Sequence, residues 1–472
     1  MPRTDPARRA AFDVLRAVAD RDAYANLLLP ALLTERGITG RDAAFATELT
    51  YGTLRGQGSY DAILSACSDR PVGRLDPEVR DILRLGAHQL LGTRTGAHAA
   101  VATSVDLTRQ VRGHRPAGFV NAVLRRVSTR DLATWLDLVA PDRGTDEIGY
   151  LSVRHSYPRW IIEAYRAALA GRSDELEPAL AVGNTRPDVT LAILPVQRSG
   201  TEVDEGDEPP PGTARARWSP FGVVLAGGGD PGELIATRRA AVQDEASQLV
   251  ALALTRASLR TETKRAATTG HWLDLCAGPG GKTRLLSHLA RRENARLLAV
   301  ELHPHRAGRV KEALSRAAWP DAAGHADPPD DGVVVADGLR PAWQQARFDR
   351  VLADVPCTGL GSLRRRPEAR WRKSPDDLPG LTSLQRGLLN AAIDSALAGG
   401  VVAYVTCSPH VAETRDIVAA VVAGRTDVEL LDAPAYLPEV PDLTTPGEPR
   451  FAQFWPHRHG TDAMFLALIR RS

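Results

Sequence analysis

His271-Trp-Leu-Asp-Leu-Cys-Ala-Gly-Pro-Gly-Gly-Lys-Thr283 decides the fold of this chain. Trp272, Leu273 and Leu275 suit the end of a buried parallel strand. A glycine turn follows at Gly278, Gly280 and Gly281, and Thr283-Arg-Leu-Leu-Ser-His-Leu-Ala opens a helix. Strand, glycine turn and helix together form the first unit of a nucleotide-binding α/β domain. The glycines matter because a ligand can then lie against bare backbone. A phosphate-binding P-loop is excluded, because its first glycine would fall at Cys276. A dinucleotide fingerprint fits poorly, because its third glycine would fall at Thr283. What remains is an acid closing the strand, Asp274, followed by glycines two apart.

This Asp274-x-x-x-Gly278-x-Gly280 pattern resembles motif I of S-adenosylmethionine (SAM)-dependent methyltransferases. The resemblance implies SAM as cofactor, held by Cys276, Ala277, Gly278, Pro279, Gly280, Gly281 and Lys282. The sequence downstream supports the same architecture. Arg296–Glu301, Gly332–Asp337, Phe348–Asp354 and Gly400–Thr406 read as further strands with helices between, and Ala463–Ile469 closes the chain. Alternating strands and helices predict a parallel, doubly wound sheet over residues 241–472. Ligands in such sheets bind at the carboxyl ends of the strands. There the first four strands carry Asp274, Glu301, Asp337 and Asp354. Four acids in register argue for a ligand with several hydrogen-bond donors. Glu301 stands where a carboxylate takes both ribose hydroxyls, Asp337 where one reaches the adenine edge or the methionine end, and Asp354 completes the set.

The 472 residues suggest two or three domains. No apolar run reaches membrane-helix length, and the charged N-terminus has no apolar core of a signal peptide. Four cysteines, Cys67, Cys276, Cys357 and Cys407, are too few for a disulfide scaffold, so a reducing cytoplasm is expected. A monomer, without metal and without membrane, completes that expectation. Residues 1–140 read as helix throughout, for example Ala11, Val14, Leu15 and Val18 on one face, and predict an all-α bundle. With 19 arginines against 15 acids this part is only mildly basic. Residues 141–240 read as a linker followed by a small α/β insert. Within it, 199–216 is acidic and Pro-rich and reads as a loop.

The cysteines point to the chemistry. Asp354-Val-Pro-Cys357-Thr-Gly follows the fourth strand, and Thr406-Cys407-Ser-Pro follows the fifth. If those strands are neighbours, both thiols converge near the SAM sulfur. Oxygen and nitrogen acceptors are already nucleophilic and rarely need a thiol. Carbon 5 of a pyrimidine is not, and a thiolate must first add to carbon 6. Two converging thiols beside an acid therefore predict a cytosine C5 methyltransferase, against the plainer alternative of two small buried apolar residues.

Cys276-Ala-Gly-Pro-Gly-Gly-Lys-Thr, Asp354-Val-Pro-Cys-Thr-Gly and Thr406-Cys-Ser-Pro together resemble the RNA cytosine-5 methyltransferases of the Nop2/Sun family. Ala117-Gly-Phe-Val-Asn-Ala-Val-Leu-Arg-Arg, with Tyr51-Gly-Thr-Leu-Arg and Leu83-Arg-Leu-Gly-Ala-His-Gln-Leu-Leu, resembles the helical RNA-binding domain of the antitermination factor NusB. The two resemblances span nearly the whole chain and depart at 199–216 and Pro320–Asp331. They imply methylation of small-subunit (16S) ribosomal RNA, with Cys407 as nucleophile and Cys357 helping to release product. Asp354 is implied to hydrogen-bond the cytosine ring, with Lys282 positioning that acid or the base. In DNA cytosine methyltransferases the Pro-Cys residue attacks instead, and spacing alone does not choose. RNA contacts are expected from Arg125 and Arg126, and from the run Arg364, Arg365, Arg366, Arg370, Trp371, Arg372 and Lys373. The alternatives are a tRNA or DNA cytosine methyltransferase, or a non-catalytic RNA-binding factor that retains a SAM fold. A target base that must reach both thiols has to leave its stack.

Overall fold

The computed structural model describes residues 5–194, 209–225, 231–236, 240–260, 270–316 and 331–472. Most of the expected 199–216 loop, and residues 320–330, lie outside the described residues. The chain divides into two compact units. The first runs through Arg166 and takes in Ser173–Thr185 and Leu363–Lys373; the second holds the remainder.

The first unit is helical. Its elements are α1 (Pro6–Arg21), α2 (Ala25–Glu35), α3 (Gly40–Arg55), α4 (Gln57–Cys67), α5 (Pro77–Leu91), α6 (Ala97–Arg112), α7 (Ala117–Val127), α8 (Leu132–Val139), α9 (Glu147–His155), the start of α10 (Arg159–Ala168), and α11 (Leu176–Val182). Start signals in the sequence are used as such. Asp5 and Asp76 each cap a helix whose first residue is proline, with Asp5 accepting from Arg8 N at 2.9 Å. Leu49, Ile63, Leu64, Ile82, Leu83, Val120 and Leu124 form the centre of its core, each fully buried. The bundle does not stop at residue 140, as the charge- and Pro-rich stretch 141–149 suggested. Asp146 caps α9 through Gly149 N at 2.9 Å and takes both Arg159 guanidinium nitrogens at 2.7 Å, so residues 141–146 are a turn that leads from α8 into α9 within the helical unit.

The second unit opens with a small antiparallel sheet of β1 (Thr190–Ile193), β2 (Thr213–Arg215), β3 (Gly222–Leu225) and β4 (Ala240–Val242), in the order β2-β3-β1-β4. Residues 213–215, expected in a loop, are thus an edge strand. α12 (Gly232–Ala236) and α13 (Glu245–Arg256) follow, the latter capped by Asp244. The large sheet is built from β5 (Gly270–Asp274), β6 (Ala295–Glu301), β7 (Gly332–Val335), β8 (Phe348–Asp354), β9 (Ala396–Thr406), β10 (Val428–Leu431), β11 (Thr444–Thr445), β12 (Glu448–Gln453) and β13 (Phe465–Arg471). Its order is β11-β12-β13-β9-β8-β5-β6-β7, with β10 also on β13. Helices α14 (Gly281–Arg292), α15 (Pro304–Arg316), α16 (Leu378–Ser395) and α17 (Arg415–Ala423) connect the strands.

The parallel sheet expected for the whole domain holds only for β9-β8-β5-β6-β7. β13 runs antiparallel to β9 and to β12. Residues 454–464 alone join β12 to β13, too few for the crossover a parallel pair requires. The mixed sheet has a functional consequence. The chain turns back beside the carboxyl end of β9, and Phe465 pairs with Thr406, the residue before Cys407. Val401, Val402, Ala403, Tyr404 and Val405 are all fully buried, as a central strand covered on both faces must be.

Candidate active site

β5 delivers the glycine turn, and its register is held from both neighbours. Leu275 N donates to Leu352 O at 2.9 Å, and Ala277 N to Val300 O at 2.9 Å. Asp274 is buried, and its Oδ2 accepts from Thr283 Oγ1 at 2.7 Å, tying the strand end to the first turn of α14. Burial pushes the Asp274 carboxyl up to about 7, and the nearby Asp354 charge adds to this against the Thr283 bond. Gly280 has φ 108°, where a side chain is strained, and a Cβ there would lie 2.7 Å from Ala313 Cβ. At Gly278 a Cβ would lie 2.1 Å from Glu301 Oε2, which accepts from Gly278 N at 3.1 Å. Glu301 also takes His303 N at 3.0 Å, and Arg306 donates to Gly278 O at 2.6 Å. The glycine turn and the second strand end are therefore one structure, with Cys276, Ala277, Pro279, Gly281 and Lys282 on it. Burial and the surrounding carboxylates push the Cys276 thiol up, so it stays protonated.

Asp337 stands two residues beyond β7 and accepts from Leu339 N at 2.9 Å. Around these acids the strand ends leave apolar side chains in the open: Leu302 is 54% exposed, Val335 51% and Leu339 44%. A bare-backbone turn, two carboxylates and an apolar ledge fit a nucleoside with a hydroxylated sugar and a flat base. SAM has those parts, and the turn, Glu301 and Asp337 are the residues that would hold it.

β8 and β9 are adjacent and parallel, with Asp354 level with Val405. Both cysteine loops therefore leave the same edge of the sheet. The Cys357 and Cys407 sulfurs lie 3.3 Å apart. Lys282 Nζ donates to Asp354 Oδ2 at 2.8 Å. Burial opposes the Lys282 charge, but the Asp354 carboxylate outweighs it and Cys407 adds to the pull, so the ammonium is held. The Cys357 thiol is pushed well up, first by its hydrogen bond with Cys407 and then by burial. The Lys282–Asp354 and Cys357–Cys407 pairs thus sit at the strand ends where the two thiols and the acid were expected to converge.

Several residues that shape this site carry no signal in the sequence. Gly361 N donates to Cys407 O at 2.9 Å, and Ala463 N donates to Gly361 O at 3.0 Å. This lays the backbone after Cys357 between the Cys407 loop and the returning β13 end. Glu413, fully buried, lies between the residues that follow the two cysteines: Thr358 N donates to Oε1 at 2.8 Å and Ser408 Oγ to Oε2 at 2.7 Å.

The basic run 364–373 is not the exposed RNA-facing surface that its charge suggested. Leu363–Lys373 belongs to the helical unit. Arg370 is fully buried and donates to Arg55 O (3.3 Å), Ser156 O (3.2 Å) and Gly183 O (2.8 Å), and to Asn184 Oδ1 (2.7 Å) and Tyr157 Oη (3.0 Å). Those three carbonyls end α3, α9 and α11. One guanidinium therefore satisfies the orphan carbonyls of three helices and faces three negative dipole ends, which is why it needs no carboxylate. The Tyr157 ring, 3.8 Å from Cζ, adds a cation–π contact. Arg372 does the same for α1, donating to Val18 O (2.9 Å), Asp22 O (3.0 Å) and Ala23 O. Arg364 is 6% exposed. Of the run, Arg366 and Trp371 are exposed, and Arg365 and Lys373 half-buried. Arg125 and Arg126 on α7 are exposed, beside Asn121 and Cys67 O respectively. Arg125 lines an open groove of about 500 Å³ between α6 and α7.

Residues 264–470 match the model of the 16S rRNA methyltransferase family RsmB/F, and residues 5–129 that of the NusB family. A Mycobacterium tuberculosis protein named as a methyltransferase, Rv1407, is 50% identical over 99% of this chain and 97% of its own. The ribosomal RNA small subunit methyltransferase B of Pseudomonas putida KT2440 is 31% identical over 90% of this chain and 91% of its own. The chain belongs to the RsmB/F family of 16S rRNA methyltransferases. It is a SAM-dependent rRNA methyltransferase with a NusB-type helical front. The solved structure of PH0851 shares the fold along the whole length of both chains, with TM-score 0.76 and 20% identity. A methyltransferase homologue from Pyrococcus horikoshii, covering 69% of this chain and 99% of its own, shares it at TM-score 0.51 and 18% identity. Among the described residues no helix is long and apolar enough to cross a membrane.

Proposed function

We propose that this member of the RsmB/F family methylates carbon 5 of a cytosine in 16S rRNA through a covalent adduct on Cys407. The observation that carries the reading is the pair of sulfurs 3.3 Å apart beside the Lys282–Asp354 ion pair. Bound SAM supplies an electrophilic methyl group on a sulfonium. The protein's task is to make carbon 5 a nucleophile. Cys407, as thiolate, adds to carbon 6, and the ring's electron density moves to carbon 5. Lys282 supports the thiolate electrostatically, and Asp354 accepts a hydrogen bond from the cytosine exocyclic amine. After the methyl is in place a water molecule takes the carbon 5 proton, the C5–H electron pair restores the carbon 5–carbon 6 double bond, and the carbon 6–sulfur pair returns to sulfur, so that Cys407 departs as thiolate. Cys357, whose sulfur lies 3.3 Å from that of Cys407, assists that elimination. The turn at Cys276–Lys282 with Glu301, Asp337 and Asp354 holds SAM. Arg125, Arg126 and the exposed part of 364–373, Arg366 and Trp371, contact RNA.

The test separates the cysteines. Each variant is incubated with RNA and SAM and run on a denaturing gel. Cys357→Ala should trap a protein–RNA adduct, and Cys407→Ala should be inactive and trap none. The reverse pattern would make Cys357 the nucleophile. Full methylation by both variants would end the C5 reading, and bisulfite mapping of the product identifies the base.

A further inference from the structure

Glu413 takes four hydrogen bonds from three residues. Oε1 accepts from Thr358 N at 2.8 Å and Gln385 Nε2 at 3.0 Å, and Oε2 accepts from Ser408 Oγ at 2.7 Å and from Thr358 Oγ1. Thr358 follows Cys357, and Ser408 follows Cys407. The two hydroxyls are also 3.1 Å from each other. Gln385 Nε2 donates in addition to Pro356 O at 2.9 Å, so the Cys357 loop is gripped on both sides of the thiol. The carboxylate is fully buried, and none of these donors is a cation. A buried carboxyl group in neutral surroundings is a poor way to stabilise a core; a well-packed apolar residue would cost less. What it does give is direction, because two oxygens with fixed lone pairs set the separation of two loops that no strand pairing joins beyond β8 and β9. Its own backbone is held in turn, since Tyr404 Oη, from inside β9, donates to Glu413 O at 2.8 Å.

We propose that Glu413 is a positioning residue that sets the reacting geometry of the Cys357–Cys407 pair by clamping Thr358 and Ser408 to one carboxylate. The proposal rests on the two-thiol reading above, so its test needs a measure of thiol geometry that does not depend on methyl transfer. A trivalent arsenical bridges two sulfurs only when they are close, and its capture by the full-length protein reports their separation directly. Glu413→Ala removes all four bonds, and Ser408→Ala removes the hydroxyl's bonds with Glu413, Thr358 Oγ1 and His410 N while leaving Glu413 bonded to Thr358 and Gln385. Both should slow arsenical capture, by about tenfold or more for Glu413→Ala, and lower kcat by up to about a hundredfold at little change in KM for RNA, as displacements near 1 Å do. SAM binding by calorimetry should stay at the wild-type value in both. Wild-type capture rates in Ser408→Ala and in any folded Glu413 variant would overturn the clamp while leaving the C5 reading intact. Slowed capture with undiminished methylation would uphold the clamp and remove the paired thiols from the chemistry.

Discussion

Arg370→Met is the sharpest test of how this chain uses its basic residues. Methionine keeps most of the apolar length of the arginine stem and removes the guanidinium. Three helix-end carbonyls, Arg55 O, Ser156 O and Gly183 O, lose their donor together with Asn184 Oδ1 and Tyr157 Oη. All surround a side chain with no solvent exposure, so water replaces the donor only if the helix ends open. Each buried acceptor left alone costs about 1–3 kcal/mol, less whatever relaxation recovers. Losing a favourable charge at a partly buried helix C-terminus costs up to ~2 kcal/mol more. Removing the buried cation itself returns part of this, since burial already disfavours its charge and lowers its pKa. A net loss of roughly 3–5 kcal/mol follows, a large share of a typical domain's total stability. In a thermal melt of the full-length protein that is a shift of about 10 °C in the helical transition. Hydrogen exchange should show the last turns of α3, α9 and α11 opening first. Arg366→Met is the control: that side chain is exposed and lies over Tyr24, so its stability should change by less than about 0.5 kcal/mol. An Arg370→Met protein as stable as wild type, but weaker in RNA binding, would refute the reasoning and return Arg370 to the nucleic-acid surface.

Three further outcomes are expected. Gly361→Ala places a Cβ 1.8 Å from Ala463 O and 2.9 Å from Cys407 O, so the Cys407 loop must move; methylation should fall by about a hundredfold with SAM binding retained, and a variant of wild-type activity would show that this packing is dispensable. Glu301→Ala frees Gly278 N and His303 N and should weaken SAM binding in calorimetry more than Asp337→Ala, whose bond to Leu339 N is local; equal, wild-type affinities in both would remove these acids from the cofactor site. Asp274 has its folded-state pKa raised to about 7, so its contribution is fully present below the ordinary carboxylate range and is lost as pH rises through 7. At about 1.4 kcal/mol per pH unit, Asp274→Asn should gain stability relative to wild type between about pH 4 and pH 7 and level off above that, and a difference independent of pH would contradict the buried, raised acid.

How much of this was legible in the sequence depends on whether a residue acts through the local chain or through distant parts of it. The glycine turn was legible because a strand end, φ 108° at Gly280 and a helix start all lie within Asp274–Thr283 and leave their marks in residue type. The acids were legible because every parallel strand ends at the same edge, so Asp274, Glu301 and Asp354 share a place that spacing alone reveals. The convergence of Cys357 and Cys407 needed only the adjacency of β8 and β9. Glu413 was not legible: it follows Cys407 in Pro-His-Val-Ala-Glu with no periodicity, and its partners Thr358 and Gln385 arrive from the β8 loop and from α16. The antiparallel close of the sheet was missed because strand composition does not encode direction.

The run 364–373 shows the limit most clearly. Six basic residues in ten look the same whether they face phosphate or carbonyl, because both are acceptors and a guanidinium binds either. What separates the two cases is the supply of orphan carbonyls, and that exists only once α3, α9 and α11 end at one point around Arg370. A charge run can therefore be read as a nucleic-acid contact only after the helix ends nearby have been counted. By that measure Arg366 and Trp371, together with Arg125 and Arg126 on α7, are the members of the expected set whose side chains are exposed.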